Sequence, residues 1–367
     1  MTGLLRLPHP ANSSPAFVSV IVAARNEQPT IGRLLQSLMT QTYANFEIIV
    51  VNDRSTDATE NVVRAFQQRD SRIVLISVKA LTGDMPGKKN ALATGIRSSK
   101  GEILCFTDAD CVPSSTWIAD LVKCFDDKVG VVAGYSPYDS SLVPADSGHG
   151  FWRSVLLKFI EGEEFKGAIW SAGAIGLNLA WLCTGRNLAY RRVVFDEVGG
   201  FEKIKMSISG DDDLLLQLVR RTTNWKIRYS TSPRSIVRTA PPSTFGEFVN
   251  QRTRHFSSGK YFTLPMKAFF FLFHFSNLLL LAGLVAAVLV SQSTLVAVAG
   301  FALKLTCDVL LWLLAFRALQ IPESIYRFRF SDFLLTELLY VLYNSLIGPM
   351  GFLRTFDWKG SNIRQAA

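Results

Sequence analysis

The 367-residue chain is poor in the residues that build metal clusters and covalent frameworks. It has four histidines and five cysteines (Cys105, Cys111, Cys124, Cys183, Cys307), and no two cysteines form a CxxC pair. This argues against a structural zinc site, and still more against a disulfide scaffold. The cysteines read as small buried apolar residues in a reducing compartment. Prolines and polar residues interrupt Met1–Ser14, which has no apolar core of the signal-peptide kind, so the bulk of the chain is expected in the cytosol. Charge is the most telling absence: between Ala268 and Leu303 there is no Asp, Glu, Lys or Arg. A bilayer-spanning helix needs about 20 apolar residues, and this run is too long for an ordinary buried core helix.

What is present is uneven. Apolar residues make up 49% of the chain and mean hydropathy is +0.22, with the excess concentrated near the C-terminal end. Three apolar segments stand there, 269–290, 294–316 and 333–353. Lys304 and Asp308 share one helix face in the second and are tolerable as a pair inside a bundle. The third contains Glu337, Asn344 and Gly348-Pro349, so it reads either as a span or as a re-entrant or interfacial segment. The Ser291–Ser293 turn carries no charge, while Arg317, Arg327 and Arg329 follow the second segment. Positive residues favour the cytosolic side, which places the N-terminal domain and this second loop inside. Three full spans would put the basic tail (Arg354, Lys359, Arg364) outside, against that rule. Two or three spans are therefore expected.

The net charge of +9 is also localised. Nine Lys or Arg stand between Arg220 and Lys260 against one acid, Glu247. This segment reads as a basic face near anionic lipid headgroups or as a diphosphate holder. A nucleic-acid partner is not expected, because no base-reading motif is present.

The first 135 residues alternate between short apolar runs and helical spacing. Strands are expected at 17–24, 46–51, 73–78, 102–106 and 129–134. Helices are expected from Ile31, over 56–69, over 88–98 and over 114–125. Fully apolar strands alternating with helices imply an α/β fold with a mostly parallel sheet covered on both faces. Ligands bind such sheets at the carboxyl ends of the strands. A helix is expected over 151–165, and the Gly- and Ala-rich stretch 166–190 is expected to line a pocket or lie at the membrane surface.

The chemistry-bearing residues stand at those strand ends. Asp108-Ala109-Asp110 directly follows the fourth strand. Two carboxylates there suit a hard divalent ion, Mg²⁺ or Mn²⁺, with positions left open for phosphate oxygens. Asp53 closes the second strand within Asn52–Asp57. Lys88 opens the third helix, where a helix N-terminus and an ammonium together favour phosphate. Asp211-Asp212-Asp213 precede the helical run Leu214–Val219. One acid would suffice to cap a helix, and three together repel and shift one another's pKa values.

Taken in order, these pieces resemble family 2 glycosyltransferases, which are inverting enzymes with a GT-A nucleotide-sugar fold. The matching stretches are Val18–Val22 with Arg25-Asn26-Glu27, Asn52–Asp57, Gly87-Lys88 with Ala91-Leu92, Asp108–Asp110, Thr184–Asn187 through Arg191-Arg192, Gly199–Phe201, Gly210–Asp212 and Gln251–Arg254. The resemblance implies a GT-A domain whose residues 1–135 bind the nucleotide sugar and whose residues 136–265 hold the acceptor and the catalytic base. A membrane domain of transmembrane helices, 266–367, would follow. It implies that Asp53 contacts the base of a UDP-sugar, that Ala24 and Glu27 border the nucleotide, and that Lys88 lies near it. Asp110 would bind the metal, with Asp108 beside the ribose, donor sugar or metal. Asp212 would be the catalytic base, with Asp211 standing where the family has Glu. Gln251 and Arg254 match the family's QxxRW element, in which the arginine steadies the diphosphate, and His255 replaces its tryptophan. The arrangement is similar to ceramide and carotenoid glucosyltransferases, and implies single transfer of glucose to a lipid-like acceptor dissolved in the cytoplasmic membrane. The alternatives are a processive polysaccharide synthase, a non-catalytic nucleotide-binding membrane scaffold, and a nucleotidyltransferase built on the same sheet.

Overall fold

A computed structural model describes residues 1–7, 16–80, 85, 87–143, 150–289, 294–326, 329–353, 356–358 and 361–363. The Ser291–Ser293 turn, Pro86, Arg327 and the tail residues Arg354, Lys359 and Arg364 lie outside the described residues.

Among the described residues, nine strands precede the long apolar helices. Seven form one sheet: β1 (Val18–Ala24), β2 (Phe46–Asp53), β3 (Ile73–Val78), β4 (Ile103–Phe106), β6 (Val129–Gly134), β7 (Leu188–Arg191) and β8 (Lys226–Ser230), in the order β3-β2-β1-β4-β7-β6-β8. β5 (Cys111–Pro113) and β9 (Val237–Thr239) form a separate antiparallel pair. The expected strands are present within a residue or two. The sheet is mostly parallel, but β7 runs antiparallel to both β4 and β6. It comes from the end of the stretch 166–190, where glycine and alanine content obscured a four-residue strand.

Strand alternation divides the interior into two layers. Val18, Val20, Val22 and Ala24 of β1 face one apolar cluster, with Leu34, Leu35 and Leu38 of α1 (Ile31–Met39) and Trp117 and Leu121 of α4 (Trp117–Val122). Ile21 faces the other, with Ala91 and Ile96 of α3 (Gly87–Ser98) and Phe165 and Ile169 of α5 (Phe151–Gly176). α2 (Thr59–Gln67) begins three residues later than its spacing suggests, because Asp57 turns back to accept from the Thr59 backbone N–H and hydroxyl. β1 lies between β2 and β4, so the chain's direction of travel across the sheet reverses there. The carboxyl ends of these three strands open on that crevice, as expected for a ligand site.

α5 is longer than expected, running 26 residues through most of the apolar stretch, or about 39 Å. It joins the sheet to α9 (Leu264–Leu289), α10 (Thr294–Ala318) and α11 (Phe330–Leu353). Gly162 allows the close approach of α11, since a Cβ there would lie 2.4 Å from the Thr336 hydroxyl. Lys304 does pair with Asp308, at 2.6 Å, and two further residues join them: Lys166 of α5 and the fully buried Glu337 of α11. Among the described residues, α9 and α10 are long and apolar enough to cross a membrane, over Leu264–Ala287 and Thr294–Ala318. Their outward faces carry exposed Phe271, Leu272, Leu279, Leu295, Val296 and Leu303. α11 packs instead on α5, α8 (Phe245–Ser257) and α9. The cysteine expectation holds for Cys105, Cys111 and Cys124. Cys183 is half-buried, and Cys307 is exposed on the outward face of α10, where apolar side chains face out rather than in.

Candidate active site

Four of the expected residues meet at the end of β4. Ala109 is buried, which fits the small residue between the two aspartates. Lys88, in the first turn of α3, places its Nζ 2.9 Å from Asp108 Oδ1 and 3.4 Å from Asp211 Oδ2. Asp212 caps α7 (Asp213–Thr222): its Oδ1 accepts from the Asp213 N–H at 2.8 Å and its Oδ2 from the Gly185 N–H at 2.9 Å. Asp213 accepts from the Cys183 N–H at 2.8 Å. The capping role and the clustering of acids thus coexist: backbone donors hold Asp212 and Asp213, and Lys88 holds Asp211. Gly185 leaves room for this approach: a Cβ there would lie a tight 3.2 Å from Asp212 Oδ2. Gly210 makes the turn into the cluster at φ +82°, a conformation glycine adopts without Cβ strain.

The charges perturb one another. Burial, then the neighbouring Asp211 carboxylate, push the Asp212 carboxyl above the ordinary aspartate range, while Lys88 and the two backbone N–H groups oppose the shift. Burial also raises Asp108, but Lys88 beside it outweighs that and holds it below the ordinary value. Burial disfavours the Lys88 ammonium, yet Asp108 and Asp211 hold its pKa above the usual lysine value. Such a cluster in a cleft is where a proton acceptor and an anion holder belong.

The other residues expected at the site do not join this cluster. Asp53 is buried at the end of β2, and Arg54 holds it bidentately at 2.7 and 3.0 Å. Ala24 ends β1 opposite Asn52. The Glu27 N–H donates to Thr59 Oγ1 at 2.8 Å, and the Glu27 carboxylate accepts from the Thr30 hydroxyl at 2.8 Å. Asn26 accepts from the Thr56 N–H at 2.8 Å, stitching the loops after β1 and β2 together. Asp110 follows Asp108 in the turn, where the Cys111 thiol approaches its Oδ1 at 3.6 Å.

A cavity of about 570 Å³ contains the cluster. Lys88, Asp108, Asp211, Asp212, Gln251 and Arg254 line it; Ala24, Glu27, Asp53 and Asp110 do not. Gln251 Oε1 accepts from the Tyr138 hydroxyl at 3.0 Å. The cavity then continues past Gly167, Ala168 and Ser171 of α5 to Phe262 and to Phe270 and Phe271 of α9. The stretch 166–190 therefore lines a pocket, as one of its two readings had it.

Several lining residues escaped the sequence reading. Arg186 binds Glu164 at 2.6 Å, and Arg252 binds Glu163 and Glu164. Both guanidiniums lie over the Tyr138 ring, at 5.1 and 6.0 Å from its centroid. Arg186 and Arg252 stood inside the matched stretches Thr184–Asn187 and Gln251–Arg254 without a role assigned to them, and their partners Glu163 and Glu164 lie in the acid-rich turn Glu161–Glu164 of α5. Lys89, fully buried, donates to the Ser207 carbonyl and, at 2.8 Å, to the Ser209 carbonyl.

The seven-stranded, mostly parallel sheet flanked by helices, with acids at its strand ends, defines a GT-A-like fold. Residues 19–199 match the Glycosyl transferase family 2 model, and the chain carries a domain of that family. The match ends before Asp211, Asp212, Gln251 and Arg254. The chain is similar to the probable glycosyltransferase YdaM of Bacillus subtilis, at 28% identity over 69% of this chain and 58% of that protein. It is also similar to a beta-monoglucosyldiacylglycerol synthase of Nostoc, at 28% identity over 55% of this chain and 41% of that one. Among solved structures it resembles the Pyrobaculum calidifontis mannosyltransferase PcManGT, solved with GDP-Man and Mn²⁺. That likeness covers 95% of this chain and 88% of the other, with 21% identity and a TM-score of 0.52. The matched stretch spans 58%, 34% and 32% of three of the curated relatives.

Proposed function

We propose that the chain is an inverting glycosyltransferase that moves one sugar, glucose, from UDP-glucose to a hydroxyl of a membrane lipid. The carrying observation is the cavity itself. One end holds Lys88, Asp108, Asp211 and Asp212; the other reaches Phe270 and Phe271 on α9, a helix apolar enough to cross a membrane. An acceptor dissolved in the bilayer could present its hydroxyl to the acids while its chains remain among the phenylalanines. The similarity to a glucolipid synthase supports this reading.

In this reading Asp212 takes the acceptor proton as the oxygen attacks the anomeric carbon. Its two backbone hydrogen bonds fix the carboxylate, and its raised pKa makes it a better base than an ordinary aspartate. Attack from the face opposite the nucleotide inverts the anomeric centre. Lys88 and Arg254 stabilise the departing diphosphate. Asp53 holds the base, and Ala24 and Glu27 border the nucleotide.

Asp110 and Asp108 would hold a divalent cation. Among the described residues no group of three or more His, Cys, Asp and Glu is arranged around a metal position. Two carboxylates with the diphosphate and water completing the shell fit Mg²⁺ or Mn²⁺, which are commonly held by few protein ligands plus substrate phosphates. When bound, the ion would supply Lewis-acid stabilisation of the leaving group.

Membranes containing the chain, UDP-[14C]glucose, Mg²⁺ or Mn²⁺ and a lipid extract provide the test. Organic-phase label is expected, and Asp212→Asn should lower it about a hundred- to ten-thousand-fold, the range for loss of a general base. Label appearing only in insoluble polymer would overturn single transfer in favour of a polysaccharide synthase. Unaltered turnover in Asp212→Asn would remove Asp212 from the role of base.

A further inference from the structure

The loop that leads into the catalytic acids carries an exposed apolar side chain beside the point where α9 begins. Met206 is 75% exposed and Leu264, the first residue of α9, is 79% exposed. The two regions are tied together: the Tyr261 hydroxyl donates to the Met206 carbonyl at 3.1 Å. Both also reach the cavity, through Ser209 on the loop and through Gly259, Phe262 and Lys267 on the α9 side. Residues 202–209 and 258–267 together contain Lys203, Lys205, Lys260 and Lys267 against one acid, Glu202, which pairs with Lys205.

An exposed methionine on a lysine-rich loop, tied by a hydrogen bond to the segment that enters a candidate membrane span, fits one partner. We propose that the 202–209 loop docks on the bilayer surface, with Met206 inserted among the lipids and the lysines against anionic headgroups. Apolar side chains enter the boundary between headgroups and acyl chains, and lysines beside an anionic surface are held there by its negative potential. The proposal rests on the reading of α9 as a membrane helix.

The docking has a consequence for the site. The same loop is held from within by Lys89, through the Ser207 and Ser209 carbonyls. Two residues beyond Ser209 stands Asp211, and Asp212 follows. A loop fixed on one side by lipid and on the other by Lys89 seats the acids at a cavity whose mouth opens to the bilayer. Met206 acts on the reaction only through this loop and is a positioning residue.

The test uses the full chain in vesicles of phosphatidylcholine and phosphatidylglycerol, in a Cys307→Ser background. Met206→Cys is labelled with a bimane fluorophore, and the unsubstituted background is labelled in parallel as a blank. Leu279→Cys, on the outward face of α9, reports the span independently. Acyl-brominated lipid should quench both probes, and the probe at 206 should lose less emission when phosphatidylglycerol is omitted. Quenching at 279 with the probe at 206 open to aqueous iodide would overturn the docking proposal and leave the span reading standing. Absence of lipid quenching at both positions would overturn both. Equal quenching at 206 with and without phosphatidylglycerol would overturn the headgroup contact.

Discussion

Lys88 is a single side chain with two opposed effects on the acids around it. It neutralises Asp108 and Asp211 directly, and at longer range it lowers the pKa of Asp212, against burial and Asp211, which raise it. Removing the ammonium leaves only the two backbone N–H groups to oppose the raising influences. In Lys88→Met, Asp212 should therefore ionise at higher pH, and the acid limb of the rate profile should move upward relative to the wild type. A kcat profile against pH at saturating donor checks this, since the position of the limb is independent of how much the lost phosphate contact lowers the rate. An unmoved limb would show that Lys88 does not act on the base. Lys88, Asp108, Asp211 and Asp212 were legible in sequence because each stands at a strand end or helix start, positions the periodicity could locate. Arg186 and Glu164 were not. They are 22 residues apart and meet only because α5 runs on through an apolar stretch whose composition hides its helical character.

α5 is where sheet, cavity and apolar helices are joined, and one of its half-buried acids, Glu163, should make that junction respond to pH. Burial, opposed in part by Arg252 and reinforced by Glu164, raises the Glu163 carboxyl from the ordinary glutamate value of 4.5 to about 7. Between those two values the folded chain binds more protons at this site than the unfolded chain. Its contribution to stability is therefore fully present below about pH 4.5 and is lost as pH rises through about 7. The slope from one such group is at most about 1.4 kcal/mol per pH unit. Glu163→Gln removes this titration, so the variant's Tm should fall less steeply than the wild type's across that window. Thermal unfolding in detergent at a series of pH values measures the difference; parallel curves would mean that Glu163 stays ionised with Arg252 throughout. The helix period gave no hint of this chemistry. Helical spacing identifies a face, but the partner of Glu163 is supplied by α8, whose approach depends on the whole chain.

At the scale of the molecule, the number of crossings turns on α11. Its length alone would permit a third span, and counting it as one would put the tail on the side opposite the catalytic domain. Its packing favours the other outcome. Asp332, near its start, binds Lys158 of α5 at 2.7 Å, and Glu337 is buried against Lys166. Farther along, Tyr343 packs against Phe159 of α5 and Phe248 of α8. Beyond the helix, β10 (Phe356–Trp358) packs on α8 again. On the proposed membrane reading, a helix that packs on α5 and α8 at both ends would return the chain to the side it came from. Sealed inside-out vesicles test this with a membrane-impermeant maleimide, using single cysteines at exposed Asp127, in the 291–293 turn, and appended to the C-terminus. The Asp127→Cys and C-terminal positions should label from the cytosolic face, and the turn should label only after the membrane is opened. A protected C-terminus alongside a labelled Asp127→Cys would restore the third span. The contacts of α11 with α5 and α8 would then have to break when the protein enters a bilayer, at the cost of exposing Glu337 to lipid.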